Sequence, residues 1–367
     1  MPIFSSRSFK DHEQIVFCSD KKTGLKAIIA VHSTALGPAA GGCRFWDYTA
    51  KYAGESASVA SQKAEADAID DVLRLSRGMS YKNAMAGLRL GGGKSVIIGD
   101  PRKISNADLA SAFGAHVQKL GGTYFTAEDV GTSTSFMEQV HKTTDYVCGL
   151  ENGPFATGDP SPHTALGVYV GMKAAAQHKF GNDSLKGKHI AIQGVGNVGR
   201  RLAQHLLSEG ALLTIADINE DNINRVLTMG DVKVGDIRTI HTTDCDIFAP
   251  CALGGAIHDG SVNEFKAQII AGAANNQLDV EGVHDEALRK RDILYCPDYV
   301  INAGGIIAIE AEIYKEHQSD QDREAMVRGI GGTLTNIFKE SDATDLPTGV
   351  VANKIAEKII ADARTKK

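Results

Sequence analysis

The sequence predicts an α/β protein of two domains, the second of which is built on a parallel sheet. Three observations lead to this fold class. The chain has 367 residues, and a chain of this length usually folds around more than one hydrophobic core. A segment rich in Gly and Pro, GLENGPFATGDPSP, interrupts the pattern at 149–162 and predicts a domain boundary. Beyond it, residues 188–219 have the order strand, glycine turn, helix and strand, which is one βαβ unit.

The first domain mixes strand-like and helix-like stretches. Residues 24–33, GLKAIIAVHS, predict a buried strand that ends in the turn-prone LGPAAGG. Residues 49–68 contain few large apolar side chains and predict an exposed segment, helical or partly disordered, that leads into an amphipathic helix. Residues 94–101, KSVIIGDP, predict a short strand, and residues 106–120 predict a helix capped by Asn106.

The second domain repeats a theme of short apolar strand followed by small or polar residues. It opens on a helix, HTALGVYVGMKAAAQHKF, before the βαβ unit. The stretches DIFAPCALGG, IIAGAANNQL and ILYCPDYVINAGG then each predict a strand whose end faces the ligand crevice of an open parallel sheet. The final segments, QDREAMVRGIGGTLTNIFKE and NKIAEKIIADARTKK, predict two helices.

Composition and charge exclude several classes of function. The net charge is −6 and the basic residues are scattered among acids, whereas nucleic-acid binding needs a basic stripe. No run of about 18 apolar residues spans a membrane, and the opening MPIFSSRSFKDHEQ lacks the apolar core of a signal peptide. The six cysteines form no Cys-x-x-Cys pair, which predicts reduced thiols without a zinc site. We therefore expect a cytoplasmic protein that binds no nucleic acid, membrane or metal.

The motif GVGNVG at 194–199 predicts a dinucleotide site of the Rossmann type. A strand precedes it, a helix follows it, and Asp217 ends the next strand. Gly194 would permit the tight turn, Gly196 would let the backbone approach a pyrophosphate, and Gly199 would let the helix pack closely. The helix N-terminus offers N–H groups to the phosphates. Because Asp217 can accept from both ribose hydroxyls and repels a 2′-phosphate, NAD is favoured over NADP; the alternative is a tight turn that binds nothing.

The stretch GLRLGGGKS at 87–95 resembles a phosphate-binding P-loop at first sight but fails on spacing and context. The first glycine of such a loop would fall at position 88, which is Leu88, and Gly87 misses by one. The residues after Lys94 predict a strand, whereas a P-loop leads into a helix. The three consecutive glycines are then expected to leave open space for the close approach of a ligand.

Lys82 and Lys94 stand on either side of this glycine segment. If both point into one cleft, mutual repulsion and burial lower the pKa of one lysine, which can then act as a base while the other binds an anion. The alternative for each is a solvated surface charge. Asp129, in TAEDVGTS, supplies a carboxylate at a strand end that could pass protons, or it is a turn or helix cap.

Seven motifs of this chain, taken together, point to a known protein family. The motifs YKNAMAGLRLGGGKSVI, TAEDVGT, GPAAGG, QGVGNVG, FAPCALGG, AGAANNQL and PDYVINAGG resemble those of the glutamate/leucine/phenylalanine/valine superfamily of amino-acid dehydrogenases. The resemblance is closest to the leucine and phenylalanine branch, leucine dehydrogenases first. It runs from about residue 12 to the final helices, with every motif in order.

The resemblance implies a fold and a reaction. The expected fold is an N-terminal α/β substrate and oligomerisation domain, residues 1–150 with 340–367 returning to it, and a C-terminal Rossmann NAD-binding domain, residues 151–339, with a cleft between them. The implied reaction is oxidative deamination of an L-amino acid with NAD to a 2-oxo acid, ammonium and NADH. A homo-oligomer is also implied, although the length of the 49–68 segment leaves its size open.

The resemblance also assigns roles residue by residue. Lys82 binds the substrate carboxylate, Lys94 is a lysine of low pKa that activates water, and Asp129 relays protons to and from the amino nitrogen. The other implied substrate-binding residues are Ala40, Gly41, Gly42, Ala127, Asn276, Ile306 and Ile309. The implied cofactor-binding residues are Gly194, Gly196, Asn197, Val198, Gly199, Asp217, Ile218, Cys251, Ala252, Ala274, Asn276 and Asn302.

The implied pocket favours an apolar substrate. Glutamate dehydrogenases of the superfamily have a lysine where Ala40 stands, so Ala40 argues against glutamate. Ala40 is smaller than the Leu common in leucine enzymes, while Ile306 and Ile309 are bulkier than the usual valines. One methylene is worth only about 1–3 kcal/mol of discrimination, so these opposite changes leave the choice open. We expect branched-chain substrates, with phenylalanine as the alternative.

Two rival functions need different residues. An NAD-dependent hydroxy-acid dehydrogenase would need a His–carboxylate dyad and an arginine clamp, for which His163 is the only histidine near the expected cleft. A catalytically silent NAD-binding sensor would keep GVGNVG and Asp217 but would not need Lys82, Lys94 and Asp129 in register. Their joint presence favours the enzyme.

Overall fold

The computed structural model describes residues 3–252 and 254–366, and it divides into two compact units. Unit 1 comprises Met1–Asp159, Ile309–His317 and Ala356–Lys367, and unit 2 comprises Pro160–Ala308 and Gln318–Ile355. The break expected at 150/151 thus lies at 159/160, still inside the segment rich in Gly and Pro. The return expected from residue 340 begins only at 356, and 309–317 is an additional return.

Local contacts explain these corrected boundaries. Glu310 accepts a hydrogen bond from the backbone N–H of Arg89 at 2.6 Å, and Glu312 accepts one from the backbone N–H of Gly149 at 2.9 Å. These two acceptors, of which Glu310 is buried and Glu312 partly buried, tie 309–317 to unit 1. Residues 340–355 stay in unit 2, where the helix that contains Ser341 begins at Asp320 and packs against the first helix of that unit.

Unit 1 is built on a five-stranded mixed sheet. Its strands are β1 (Gln14–Asp20), β2 (Leu25–Ser33), β3 (Ala39–Trp46), β4 (Gly91–Ile98) and β5 (Tyr124–Glu128). The order across the sheet is β1-β2-β4-β3-β5, in which β3 pairs parallel with both β4 and β5. Strand β3 therefore lies between β4 and β5, and the ends of β3 and β5 carry neighbouring residues at the same edge of the sheet.

Four helices cover the two faces of this sheet. They are α1 (Ala57–Met85), α2 (Pro101–Ile104), α3 (Ala107–Gln118) and α4 (Thr134–His141). Helix α1 buries Ala64, Ala68 and Val72 against Ile28 and Val96 of the sheet. On the other face, the buried side chains of α3 and α4 form a second core with those of β2 and β3.

The 49–68 segment is mostly helix. A short 3-10 turn, Ala50–Tyr52, precedes α1, and Ala60 and Ala64 are buried one helical turn apart while the residues around them are exposed or only partly buried. The alanine-rich composition is thus that of a helix that packs close to the sheet with small side chains. The cap predicted for α3 is also confirmed, since Asn106 accepts a hydrogen bond from the N–H of Leu109 at 2.9 Å.

The glycine cluster has a different explanation from the expected one. Strand β4 begins at Gly91, so all three glycines lie within the sheet. A Cβ on Gly91 would lie 2.1 Å from the carbonyl oxygen of Ser33, one on Gly92 2.0 Å from the nitrogen of Ser80, and one on Gly93 2.6 Å from the ring of Tyr124. The expectation of open space for a ligand is wrong here, because these glycines allow backbone and ring to pack against β4.

Unit 2 contains a six-stranded sheet in which every neighbouring pair is parallel. The strands are β6 (His189–Gln193), β7 (Leu212–Ala216), β8 (Val232–Val234), β9 (Ile247–Pro250), β10 (Ile269–Ile270) and β11 (Leu294–Tyr295). Their order, β11-β10-β9-β6-β7-β8, is that of the Rossmann fold, which binds dinucleotides where the order reverses at the first strand. The predicted fold class is confirmed.

The remaining helices complete the chain. They are α5 (Ser161–Phe180), α6 (Asn197–Glu209), α7 (Glu220–Leu227), α8 (His284–Lys290), α9 (Asp298–Ile301), α10 (Gly304–Ile313), α11 (Asp320–Thr344) and α12 (Thr348–Arg364). Gly167 and Gly171 of α5 let Ile330 and Leu334 of α11 pack closely, since a Cβ at either glycine would lie within 3.0 Å of those side chains. This close packing holds α11 against α5.

Within residues 3–252 and 254–366, no helix combines the length and apolar character needed to cross a membrane. Over the same residues, no three His, Cys, Asp or Glu side chains are grouped so that they could hold a metal ion. All six cysteines are free thiols, and five of them are buried.

Candidate active site

Lys94 lies in the middle of β4 with its side chain almost entirely out of water. The strand pairs it with Ala30 of β2, and only 7% of the side chain is exposed. A buried ammonium needs a partner, because removing a charge from water costs several kcal/mol. The partner is Asp129, whose Oδ2 lies 3.1 Å from Nζ of Lys94. The structure thus brings together two of the predicted site residues.

Asp129 follows the last residue of β5, where the sequence placed it. Its backbone N–H donates to Oγ1 of Thr132 at 2.9 Å, and that hydroxyl lies 3.0 Å from the carbonyl oxygen of Cys43. The turn therefore fastens Asp129 to β3. Ser133 caps the following helix α4, so Asp129 is not the helix cap of the alternative interpretation.

The carboxyl of Asp129 is held ionised by its neighbours. Burial alone would raise its pKa, but the positive charges of Lys94 and Arg44 outweigh burial, and the pKa lies below its ordinary value. The hydrogen bonds from Lys94 and from the backbone of Val130 act in the same direction. An ionised carboxylate beside a buried ammonium is a pair that can exchange a proton with a bound molecule.

Arg44 is a site residue that the sequence interpretation missed. Its Nε lies 3.4 Å from Oδ2 of Asp129, and its terminal nitrogen lies 3.1 and 2.9 Å from the two oxygens of Asp71 on α1. The hydroxyl of Tyr48 donates to Asp71 at 2.6 Å. A signal was available, since Arg44 is the only charged residue in the strand AAGGCRFW, as Lys94 is in GGGKSVII.

Two glycines of β3 border the Lys94–Asp129 pair. A Cβ on Gly42 would lie 2.8 Å from Cβ of Asp129, and one on Gly41 would lie 2.0 Å from the carbonyl oxygen of Gly93. The same Cβ on Gly41 would lie 2.9 Å from Cγ of Met79. The backbone of β3 is therefore bare beside Asp129, and no side chain could be added there without displacing neighbours.

Lys82 lies three residues beyond Met79 on α1. Residues three apart share a helix face, so Lys82 belongs to the α1 face that carries Met79 over Gly41. Its side chain is partly buried. This places the second predicted lysine on the side of the sheet that also carries Arg44, which pairs with Asp71 of α1.

The residues expected to line a substrate side-chain pocket are distributed over several elements. Ala40 is fully buried in β3, where it pairs with Phe125 of β5. Ala127 is partly buried next to Gly42. Ile306 and Ile309 lie in α10, with Ile306 in unit 2 and Ile309 in unit 1. Both isoleucines are buried.

The three motif glycines of unit 2 have the conformations that the motif predicts. Gly194 has φ of 92°, which favours glycine, and a Cβ there would contact Ala252 at 2.8 Å. A Cβ on Gly199 would lie 2.1 Å from the carbonyl oxygen of Gly194, so the helix can approach the turn only without a side chain. Around Gly196, by contrast, an added Cβ would meet nothing within 4 Å. Gly196 thus has no packing reason to be glycine.

The N-terminus of α6 is open to an anion. Gly196 is its N-cap and provides no side-chain hydrogen bond, and the following Asn197 is exposed while Val198 is partly buried. The free N–H groups and the helix dipole suit a phosphate. The unobstructed N-terminus of α6 therefore fits the pyrophosphate of a dinucleotide.

Asp217 follows β7, and its carboxylate is fixed by the backbone. Its Oδ2 accepts from the N–H of Val195 at 2.8 Å, and its Oδ1 accepts from the N–H of Asn219 at 2.8 Å. Asp217 borders a cavity of about 380 Å³, together with the 90% exposed Ile218. Other residues that line this cavity are Gly194, Ile237, Arg238, His241, Ala252 and Ser261.

The remaining predicted cofactor residues lie beyond the ends of β9, β10 and α9. Cys251 follows β9, and Ala274 and Asn276 follow β10. Asn302 donates to the carbonyl oxygen of Ala273 at 3.1 Å and to Oδ1 of Asn275 at 2.7 Å. The Oδ1 of Asn302 is buried without a hydrogen-bond partner. Such an acceptor suits an amide N–H of a ligand.

Comparison with known proteins places these observations in a family. Residues 12–146 match the family model described as the Glu/Leu/Phe/Val dehydrogenase dimerisation domain. Residues 159–220 and 218–366 match the model described as Glutamate/Leucine/Phenylalanine/Valine dehydrogenase.

Curated relatives and a solved structure match nearly the whole chain. Leucine dehydrogenase of Bacillus subtilis (strain 168) is 47% identical over 99% of this chain and 95% of its own. Valine dehydrogenase of Streptomyces virginiae is 46% identical over 96% of this chain and 95% of its own. The crystal structure of L-tryptophan dehydrogenase from Nostoc punctiforme is 38% identical with a TM-score of 0.77, covering 96% of this chain and 97% of that chain.

Proposed function

Because this chain belongs to the glutamate/leucine/phenylalanine/valine dehydrogenase family, we propose that it catalyses the reversible, NAD-dependent oxidative deamination of a branched-chain L-amino acid. The observation that carries this proposal is the buried pair of Lys94 and Asp129, 3.1 Å apart beside the bare backbone of Gly42.

The pair supplies the proton transfers that deamination needs. Lys94 activates the water that attacks the substrate α-carbon once it has become an iminium carbon. Asp129, ionised by its two cations, takes up and returns protons at the substrate nitrogen. Proton transfer by positioned groups contributes about 10²–10⁴-fold in rate. Lys82 binds the substrate carboxylate and so orients the α-carbon.

NAD fits the residues of unit 2. When bound, it supplies the hydride acceptor for the reaction. The open N-terminus of α6 at Gly196 would hold the pyrophosphate, and the carboxylate of Asp217 would accept hydrogen bonds from the ribose hydroxyls. The Oδ1 of Asn302, which is buried without a hydrogen-bond partner, would accept a hydrogen bond from the nicotinamide amide. Asp217 also disfavours a 2′-phosphate, so the cofactor is NAD rather than NADP.

The proposed substrate class rests on the residues that the family resemblance assigns to the side-chain pocket. No charged residue stands among Ala40, Ala127, Ile306 and Ile309 to bind a side-chain carboxylate. We place leucine, valine and isoleucine first, in line with the leucine and valine dehydrogenases among the relatives. Phenylalanine is the second candidate, because the small Ala40 leaves room that a Leu would occupy. A homo-oligomer is part of the proposal, since the matched N-terminal model is described as a dimerisation domain.

The proposal is tested by NADH absorbance after addition of NAD and a panel of L-amino acids and 2-hydroxy acids at alkaline pH. We expect NADH with leucine, valine or isoleucine. Formation of NADH only with phenylalanine would select the second candidate, and formation only with a hydroxy acid would overturn the reaction. No NADH with any compound, while NADH still binds, would indicate a sensor.

A further inference from the structure

Four charged side chains of alternating sign form a chain in unit 1. Lys94 contacts Asp129, Asp129 contacts Arg44, and Arg44 contacts Asp71, with nitrogen–oxygen distances of 3.1, 3.4 and 2.9 Å. Beyond the last carboxylate, the hydroxyl of Tyr48 donates to Asp71 at 2.6 Å. The elements that contribute them are β4, the end of β5, β3 and α1.

We propose that Arg44 is a positioning residue for the deamination: it fixes the carboxylate of Asp129 through Oδ2, and Asp71 behind it balances the guanidinium charge. This inference deepens the proposed function and rests on it. Arg44 acts through Asp129, so it is not itself a catalytic residue.

The geometry at Asp129 supports this role. Lys94 and Arg44 both approach the same oxygen, Oδ2. Two cations on one oxygen restrict the position of the carboxylate. The planar guanidinium suits this task, because one terminal nitrogen donates to both carboxylate oxygens of Asp71 while Nε donates to Oδ2 of Asp129.

Burial makes these charges effective. The exposed side-chain fractions are 19% for Arg44, 24% for Asp71 and 14% for Asp129. Exposed ion pairs have small effects because water and salt screen them, whereas pairs largely out of water act on each other strongly. Burial lowers the pKa of Arg44, but the negative charges of Asp71 and Asp129 outweigh burial, and the pKa lies above its ordinary value. Arg44 therefore stays charged at every working pH.

Other ionisable groups near Asp129 cannot take over this role. Besides the two cations they are Tyr48 and Asp71 behind Arg44, the thiol of Cys43 and the carboxyl of Glu128. Burial raises the pKa of the Cys43 thiol to about 12, so it stays neutral. Glu128 is hydrogen-bonded to Thr134, and its pKa is raised mainly by burial. Neither group supplies a positive charge.

The test compares the pH dependence of kcat in variants that remove charges of opposite sign. Removal of a positive charge raises the pKa of the acids and bases around it, and removal of a negative charge lowers it. Arg44→Met should therefore move the acidic limb of the profile to higher pH by about 1 unit, and Asp71→Asn should move it to lower pH. The double variant should return the limb toward the wild-type position.

Controls separate positioning from stability. Arg102→Met removes an arginine that pairs with Asp100 at 2.9 Å elsewhere in unit 1 and should leave the limb in place. If Arg44→Met does not fold, Arg44→Lys keeps the charge without the planar fork and should lower kcat while the limb stays near its wild-type position. Asp71→Asn tests the sign of the shift independently.

The outcomes of the inference and of the proposed function are distinguishable. A wild-type enzyme without NADH formation from any amino acid overturns both. An active wild type whose acidic limb is unmoved in Arg44→Met, or moves in the same direction in Arg44→Met and Asp71→Asn, overturns only the role of Arg44. Opposite movements, with compensation in the double variant, support it.

Discussion

Two glycines of one motif should respond to alanine in opposite ways. An added methyl on Gly199 would lie 2.1 Å from the carbonyl oxygen of Gly194, whereas ordinary contacts begin at 3.4 Å. The turn and the helix must therefore separate by more than about 1 Å, and overpacking of this kind costs about 1–3 kcal/mol. For a domain of this size each kcal/mol lowers Tm by about 2–4 °C, so Gly199→Ala should lower Tm by about 2–12 °C.

Gly196→Ala should leave stability nearly unchanged but weaken cofactor binding. Its φ of −66° is accessible to alanine, and the methyl would meet no atom within 4 Å. The loss of a glycine helix cap and the lower entropy of the unfolded chain offset each other to within about 0.5 kcal/mol. The methyl would instead occupy the space of the pyrophosphate, and we expect NADH affinity to fall at least about tenfold, or 1.4 kcal/mol.

The two variants are compared by thermal unfolding and by fluorescence titration with NADH. Gly332→Ala is the matched control, because its added methyl also meets nothing within 4 Å but lies in the middle of α11, outside the motif. It should bind NADH like the wild type and unfold at the same or a slightly higher temperature. The reasoning fails if Gly196→Ala binds NADH normally, or if Gly199→Ala is as stable as Gly332→Ala.

Three further changes test the site and its supports. Lys94→Ala should bind NADH like the wild type but lose about 10²–10⁴-fold in kcat, and normal turnover would end its role as the base. The folded pKa of Asp129 is depressed, so its ionised form stabilises the fold above the unfolded pKa of about 3.9, and this stabilisation is lost as pH falls through the lower folded pKa. The Tm of Asp129→Asn should therefore fall less than the Tm of the wild type between about pH 5 and about pH 2. Parallel curves of Tm against pH would contradict this prediction. Gly92→Ala should destabilise the protein by at least about 1–3 kcal/mol in denaturant unfolding, since its Cβ would lie 2.0 Å from the nitrogen of Ser80; an unchanged midpoint would restore the ligand explanation of the glycine cluster.

Local patterns explain why the Rossmann unit could be predicted from sequence. Strand, turn, helix and strand are consecutive between Lys188 and Asn219, so the unit is determined largely by local sequence, although Gly194 also packs against the distant Ala252. The clash that requires Gly199 is with Gly194, within the motif itself. Hydrophobic periodicity and turn chemistry are sufficient for such a unit.

Long-range packing explains what the sequence did not disclose. The role of Arg44 depends on β3 pairing with β5, so that Cys43 and Glu128 become neighbours across 85 residues of chain. The glycine cluster is required by Ser33, Ser80 and Tyr124, which come from three other elements. A run of glycines has the same pattern whether a ligand or the protein's own backbone fills the space.

The boundary between the units was misplaced for a related reason. Helix α10 continues from Gly304 to Ile313, yet its last residues belong to unit 1 because Glu310 and Glu312 bind backbone N–H groups there. Nothing in the periodicity of α10 distinguishes its two parts. Side-chain acceptors that satisfy distant N–H groups are found only when the fold is known.

The central claim is that Lys94 and Asp129 carry out deamination and not another NAD-linked oxidation. The most direct measurement is the amount of ammonium released per NADH formed from L-leucine, with the 2-oxo acid measured in the same reaction. We predict one ammonium and one 2-oxo acid for each NADH. NADH formation without ammonium would contradict the claim.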